Sequence, residues 1–334
     1  MKTVCIIVTY NDENMTIAHL KRICGYACFD RILVVDNASS SASKIRLLSY
    51  IKHEESGKIE LIERALNGGY GAGNNTGLAR AQELGAKYAL IANPDAEYSE
   101  DTISQLLSVM EEHRELAVAA PVMIMSEASG LQKKPGSYPN TIMAPAAWPL
   151  RSWWKELLEM GPISRRLFNR MLHYPEEHYL GRSSKGIPDK TVREIKRETG
   201  KPVCVYVDAV PGSLLLTDVD KVRRVGGYDE EMFLYGEETL LAHRLKKAGY
   251  RTALCLTASY VHRHRAAEPS MKSQLEREKS MKHYMRRYLG AGDMKIKIAD
   301  ILFSVIHAEM KLRQKVTGKA AVKLQKGWSV KPRR

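Results

Sequence analysis

Within its first 65 residues the chain alternates two hydrophobic periods, and this limits the fold more than any other feature. Val4 to Thr9 is a continuous apolar, β-branched run, the pattern of a strand buried on both faces. A helix from about Asn14 to Cys24 follows, with Ile17, Leu20 and Ile23 at helical spacing. Ile32 to Val35 reads as a second buried strand, Lys44 to Ile51 as a helix and Ile59 to Glu63 as a third strand. This β-α-β-α-β order predicts an α/β fold with a mainly parallel, doubly wound sheet and right-handed crossovers.

The strand ends carry the chemistry. Tyr88 to Ala92 is a fourth apolar run, and it stops at Asn93-Pro94-Asp95. Proline donates no ladder hydrogen bond and disfavours helix before it. Asp95 is therefore expected at the C-terminal end of a strand, the edge where open α/β sheets bind ligands. A carboxylate there suits a divalent cation, which in turn suits a diphosphate; Asn-Pro-Asp is also ordinary turn chemistry. Upstream, Asn67 to Gly77 holds five glycines, which let backbone approach a ligand closely or make a flexible loop. A helix expected from Thr76 to Leu84 would point its N-terminus at an anion. The spacing matches neither a dinucleotide fingerprint nor a P-loop.

Further on, Glu100 to His113 reads as a helix and Ala117 to Pro121 as a strand. Seven prolines interrupt Met125 to Pro202, where Trp148, Trp153 and Trp154 cluster. This stretch is expected to be an irregular insertion, either a lid on the acceptor side or a small satellite core. Val203 to Asp208 and Ser213 to Thr217 read as strands, Asp218 as a helix cap, and Gly226 to Asp229 as a turn. Glu237-Glu238 opens a helix that ends at Gly249. Thr252 to Leu256 and Ser259 to Val261 are read as strands, with His262-Arg263-His264 beyond.

The net charge of +14 is concentrated at the C-terminus, where Met271 to Arg334 carries 17 Lys and Arg against 5 Asp and Glu. Ile298, Ile301, Leu302, Val305 and Ile306 form an apolar stripe there, flanked by lysines. A basic amphipathic helix suits an anionic membrane surface. Packing on protein, including a homodimer through these helices, is the alternative. A nucleic-acid-binding tail is disfavoured because the basic residues sit beside this apolar stripe. The scattered cysteines, the short apolar N-terminus and the absence of an 18-residue apolar run predict a cytoplasmic chain, peripheral at the inner membrane face.

In order, Ile-Val-Thr-Tyr-Asn (7–11), Val-Val-Asp-Asn-Ala-Ser (34–39), Asn-Gly-Gly-Tyr-Gly-Ala-Gly-Asn-Asn-Thr-Gly (67–77), Asn-Pro-Asp (93–95), Gly-Gly-Tyr-Asp-Glu (226–230), Phe-Leu-Tyr-Gly-Glu-Glu (233–238) and Val-His (261–262) resemble the family 2 glycosyltransferases of the GT-A fold. Within that family the resemblance is to the rhamnosyltransferase-like branch of bacterial polysaccharide assembly. It covers about residues 2–265 and implies a transferase domain over 1–268, with the insertion at about 125–202 and a basic helical tail over 269–334.

The resemblance also implies roles. Thr9, Tyr10, Asn11, Asp36, Asn37, Asn67, Gly71, Asn74 and Asn93 would bind the nucleotide-sugar, with Asp36 accepting the ring N–H of uracil or thymine. Asp95 is the last acid of the metal motif, where Asn93 replaces the first. With His262, or His264 as fallback, it would hold Mg2+ or Mn2+. Glu237-Glu238 matches the family's acid pair, with Glu238 as the general base of an inverting displacement. It is one methylene longer than the usual Asp. Without the other motifs, two acids at a helix start read first as favourable charge at its dipole. Asp208, Gly212, Ser213 and Tyr235 would contact the acceptor. The donor is expected to be dTDP-rhamnose or a UDP-hexose, and the acceptor a lipid-linked or growing glycan.

Overall fold

The computed structural model describes residues 2–125, 147–150, 152–160, 201–263 and 270–327. They fall into two units, one of 2–125, 147–150 and 201–263, the other of 152–160 and 270–327.

The first unit is built on a nine-stranded sheet. Its strands are β1 (Thr3–Thr9), β2 (Arg31–Asp36), β3 (Ile59–Glu63), β4 (Tyr88–Ala92), β5 (Ala96–Glu97), β6 (Leu116–Met125), β7 (Cys204–Val207), β8 (Leu214–Asp218) and β9 (Arg251–His262). The order across the sheet is β3-β2-β1-β4-β8-β6-β9-β5, and β7 pairs with β9. The first four strands are mutually parallel, as the alternation predicts. β8 runs antiparallel between β4 and β6, so the sheet is mixed.

Period-two alternation sends Val4, Ile6, Leu33 and Val35 to one face of the sheet and Cys5, Ile7, Ile32 and Val34 to the other. The second face is covered by α1 (Glu13–Ile23), α2 (Ser41–Lys52) and α4 (Glu100–Glu112). The first is covered by α3 (Gly69–Glu83), α6 (Val219–Arg224) and α7 (Glu237–Lys247). Hydroxyls at Ser40 and Ser99, and the carboxylate of Asp218, cap α2, α4 and α6.

Two elements differ from expectation. The glycine-rich stretch is not a loop before a helix at Thr76: α3 already begins at Gly69. A Cβ at Gly73 would sit 2.6 Å from Val8, and one at Gly77 would sit 2.4 Å from Ile6. These glycines bring α3 down onto β1, a contact that any side chain would block. The two strands expected near the end are one, β9. Pro121 pairs with Cys255 and Val122 with Ser259, so a bulge at 256–258 joins the halves and places His262 inside the strand.

In the second unit, α5 (Trp153–Met160), α8 (Met271–Arg287) and α9 (Asp293–Gly327) share a core. Ile296, Ala299, Phe303, Ile306 and Met310 of α9 pack with Leu157, Met285 and Ala291, and Trp153 and Leu302 lie against them. The expected stripe is therefore split: Ile306 and Leu302 turn inward. The exposed apolar side of α9 is instead Met294, Ile298, Ile301, Val305 and Leu312. Trp148 belongs to the first unit, where its indole N–H donates to Thr239. No helix among the described residues is long and apolar enough to cross a membrane. The remaining insertion residues and His264 lie outside the described residues.

Candidate active site

The C-terminal ends of β1, β2 and β4 form one edge, and the loops leaving them hold the first candidate residues. Parallel register sets Thr9 opposite Asp36. Asp36 is 1% exposed. Its Oδ2 accepts the Ser39 N–H at 3.2 Å and lies 3.5 Å from Lys44 Nζ. Its Oδ1 is buried without a partner. Such an oxygen is costly unless a ligand N–H supplies the missing bond. Thr9 Oγ1 accepts from Thr16 at 2.9 Å and so belongs to the wall, while Tyr10 stands exposed.

The asparagines brace the loops. The Asn11 N–H donates to Ser39 Oγ, and its side-chain oxygen accepts from the Ser40 N–H, both at 2.8 Å. Asn37 donates to Asn67 Oδ1 at 2.8 Å and to the Gly69 carbonyl at 3.0 Å, and accepts from Arg64 at 2.6 Å. Among the described residues, Asn11, Ala38 and Tyr235 are the non-glycine residues with positive φ, and all three lie in site loops. Gly71 and Asn74 sit inside α3. A Cβ at Gly71 would be 3.0 Å from Tyr228, and Asn74 is fully buried and donates to the Tyr70 carbonyl. Arg64, beside Asn37 and Gly68, was missed in the sequence because it falls between two motifs.

At the next strand end, Asn93 N–H donates to the Ser213 carbonyl at 2.9 Å, fastening the turn to the head of β8. Pairing of Ala96 with His262 brings the histidine beside Asp95, with Nε2 3.2 Å from the carboxylate. A carboxylate oxygen and an imidazole nitrogen are donors that Mg2+ or Mn2+ accepts. Among the described residues no group of three or more His, Cys, Asp and Glu could hold a metal ion, so substrate oxygens would have to complete a shell. Burial, and then the charge of Asp95, raise the pKa of Asp12, which places a second carboxylate near the first. A cation would relieve that repulsion. The sequence signal for Asp12 was its place just after β1.

The other half of the edge comes from the later chain. Tyr235 at φ 72° and Gly236 at φ 97° turn the backbone sharply into α7, whose first residues are Glu237 and Glu238. Glu238 Oε1 accepts the Gly212 N–H at 3.1 Å. Tyr70 donates to the Gly212 carbonyl at 2.5 Å, so this one glycine is held through both its N–H and its carbonyl. A Cβ at Gly212 would meet Glu238 Oε1 at 2.4 Å, so any side chain there would displace the carboxylate. Glu237 is 3% exposed, and its Oε1 has no partner. Burial, and then the charge of Glu238, push its pKa well above the carboxylate range; burial also raises that of Glu238.

Ser213 Oγ and Tyr260 Oη are 2.5 Å apart. Burial raises the Tyr260 pKa, and the charges of Asp95 and Glu238 raise it further, so this ring lies within reach of both acids. Asp208 is elsewhere engaged: it accepts from the Leu150 N–H at 3.0 Å and from Lys246 at 2.7 Å, bracing the far end of α7. Asn75 had no role in the sequence reading. It bonds the Tyr228 backbone N–H and carbonyl and Glu230, locking the Gly-Gly-Tyr-Asp-Glu turn onto α3.

A mixed α/β sheet with acids on one strand-end edge and C-terminal helices is the architecture of the GT-A glycosyltransferases. The chain belongs to glycosyl transferase family 2, whose family model matches residues 4–173. It is 25% identical over 258 residues to the low-salt glycan biosynthesis hexosyltransferase Agl10 of Haloferax volcanii, covering 77% of this chain and 66% of that one. Its fold is similar to that of GalNAc-T7, crystallised with UDP, GalNAc and Mn2+. The TM-score is 0.56 at 14% identity, over 86% of this chain and 49% of that one. It is also similar to the mannosyltransferase PcManGT of Pyrobaculum calidifontis in complex with GDP-Man and Mn2+. There the TM-score is 0.54 at 14% identity, over 98% of this chain and 79% of that one. The chain thus spans just under two thirds of the curated relative and about half of GalNAc-T7.

Proposed function

We propose that this glycosyltransferase is an inverting, metal-dependent hexosyltransferase. It takes its sugar from a pyrimidine nucleotide donor and adds it to a lipid-linked or growing glycan in cell-surface polysaccharide synthesis. The observation that carries this reading is that three acids share one edge: Asp36 at the end of β2, Asp95 after β4, and Glu238 against the peptide that leads into β8. The unpartnered Oδ1 of Asp36 suits the ring N–H that uracil and thymine share. Rhamnose on dTDP and a hexose on UDP both meet that requirement. The hexosyltransferase name of the Haloferax relative supports a hexose in general.

Asp95 and His262 would hold Mg2+ or Mn2+, which when bound neutralises charge on the diphosphate leaving group. Glu238 takes the proton from the acceptor hydroxyl as that oxygen forms its bond to the anomeric carbon. The bond from that carbon to the diphosphate oxygen breaks on the opposite face, and the nucleotide leaves with the electron pair. Inversion follows from this single displacement. Tyr70 and Gly212 keep the Glu238 carboxylate aimed along one edge.

A thermal-shift screen tests the donor. A ligand at 100 times its Kd stabilises the native state by about 2.7 kcal/mol. With Mn2+ present, UDP-hexoses or dTDP-rhamnose should raise Tm by several degrees, and GDP-mannose should not. An equal rise with GDP-mannose would overturn the pyrimidine assignment.

We also propose that α9 seats the protein on the inner face of the cell membrane. Met294, Ile298, Ile301, Val305 and Leu312 form its exposed apolar side, with Lys295, Lys297 and Lys311 beside them. Residues 313–334 add eight Lys and Arg and no acid. Apolar insertion combined with attraction to anionic headgroups is how such helices bind. The heptad positions after Leu312 fall on Lys315 and Lys319, which would repel their own copies in a parallel helix dimer. Ile301→Glu with Val305→Glu should abolish sedimentation with phosphatidylglycerol vesicles. If the double variant still sediments but changes from dimer to monomer, the face belongs to a second copy.

A further inference from the structure

The turn that carries Asp95 is held from beneath by a helix that no motif includes. His19 on α1 is fully buried. Its Nδ1 lies 3.1 Å from the Pro94 carbonyl and its Nε2 lies 3.0 Å from the Tyr98 hydroxyl. A carbonyl only accepts, so Nδ1 carries the proton and Nε2 accepts from Tyr98. Burial pushes the His19 pKa down to about 4, which keeps the ring neutral at neutral pH.

One helical turn further on, Arg22 donates to the Ala96 carbonyl at 3.3 Å and pairs with Glu97 at 2.5 Å. Between these two, the Asp95 carbonyl accepts the Arg263 N–H at 3.1 Å. The Asn93 carbonyl accepts the Ala96 N–H at 3.0 Å. Four successive carbonyls are thus taken, and the two flanking Asp95 are taken by side chains three residues apart on one helix face. The turn has one backbone bond of its own, from the Ala96 N–H to the Asn93 carbonyl, and its other three carbonyls are fixed by donors from outside it.

We propose that His19 and Arg22 are positioning residues for the Asp95 carboxylate: by gripping the carbonyls of Pro94 and Ala96, α1 sets the angle at which that carboxylate meets the metal and donor diphosphate. The inference rests on the reading that Asp95 holds the metal. Groups that orient a ligand commonly change metal affinity by about 10–100-fold when removed. Glu97 adds a brace from the opposite side, because it also pairs with Arg263 at 2.8 Å.

The probe is Mn2+ itself, titrated into the full chain with UDP present and followed by the electron paramagnetic resonance of the free ion. UDP affinity without metal and Tm are measured alongside. His19→Ala and Arg22→Ala should each weaken Mn2+ binding by about 10–100-fold, with metal-free UDP affinity unchanged. His19→Asn places an amide N–H close to the former Nδ1 and should bring Mn2+ affinity back to within about threefold of the parent. A role confined to folding would lower Tm in both His19 variants and leave Mn2+ affinity of the folded fraction unmoved, and that result overturns the proposal. Should His19→Ala fail to fold, Arg22→Ala decides, since Arg22 is partly exposed: parent-like Mn2+ binding in that variant also overturns it. Asp95→Ala separates the two readings. If it binds Mn2+ as the parent does, the metal assignment has failed; if only it loses Mn2+, the metal assignment stands and the clamp has failed.

Discussion

Glu238→Gln should turn over on the order of 10²–10⁴-fold more slowly than the parent and bind donor nucleotide as tightly. The amide keeps an oxygen that can accept the Gly212 N–H, so the 3.1 Å contact to that peptide survives. It cannot take a proton from an acceptor hydroxyl. Asp36 and Asp95 lie on other strand ends and are untouched, which is why binding and turnover separate. Glu238→Asp keeps the proton acceptor but withdraws it by a methylene, so it should lose less than the amide. Glu237→Gln should lose less still.

The pH dependence adds a second reading of the same pair. Both carboxyls titrate above their ordinary range, and they titrate as a pair. Activity, which needs the base ionised, should fall as pH drops through that raised range. Burial, and not the Glu237 charge, raises Glu238, so Glu237→Gln should leave this acid limb in place. The sign for stability is the reverse. A carboxyl whose folded pKa is raised favours folding when protonated, and that contribution is lost as pH rises through the folded pKa. Glu237→Gln avoids the loss, so its Tm advantage over the parent should grow from pH 5 to pH 9. If Glu238→Gln turns over normally while Glu237→Gln is inactive, the base is Glu237. If both are active, the pair is only charge at a helix start.

Asp95→Ala should reduce Mn2+-dependent donor binding to its metal-free level, a loss of about 3 kcal/mol or roughly 100-fold. The fold should survive, because the turn is held through its carbonyls and through Asn93 N–H to Ser213, none of which involve the Asp95 side chain. Calorimetry of UDP binding with and without Mn2+ measures this directly. The metal dependence should vanish while the metal-free affinity changes little. Retention of full Mn2+-dependent affinity would remove Asp95 from the metal site.

The sequence was most readable where burial acts on both faces of a strand. β1 to β4 and the helices α1 and α2 followed from hydrophobic periodicity, and the positions of Asp36 and Asp95 from where the apolar runs stop, helped at Asp95 by Pro94. It was least readable where one residue type serves two purposes. Gly73 looked like a loop residue because glycine permits unusual backbone, yet here it lacks a side chain so that α3 can touch Val8. On α9 a single stripe was expected, but the helix is apolar on two opposite sides, and periodicity alone does not say which side is covered. His19 and Arg22 carried no signal, because a polar residue on an amphipathic helix is silent until the turn it bonds is in place.

The sheet order also governs how this protein can be made. β4 ends at Ala92 and β6 begins at Leu116, yet between them lies β8, which starts at Leu214. At about 5–20 residues per second, a ribosome spends on the order of ten seconds between finishing β4 and supplying its neighbour. Throughout that interval the nascent chain displays an open, apolar strand edge, which is the element that recruits chaperones or misassembles with its copies. Synonymous codons that slow translation across the intervening stretch should therefore lower soluble yield without altering the finished enzyme.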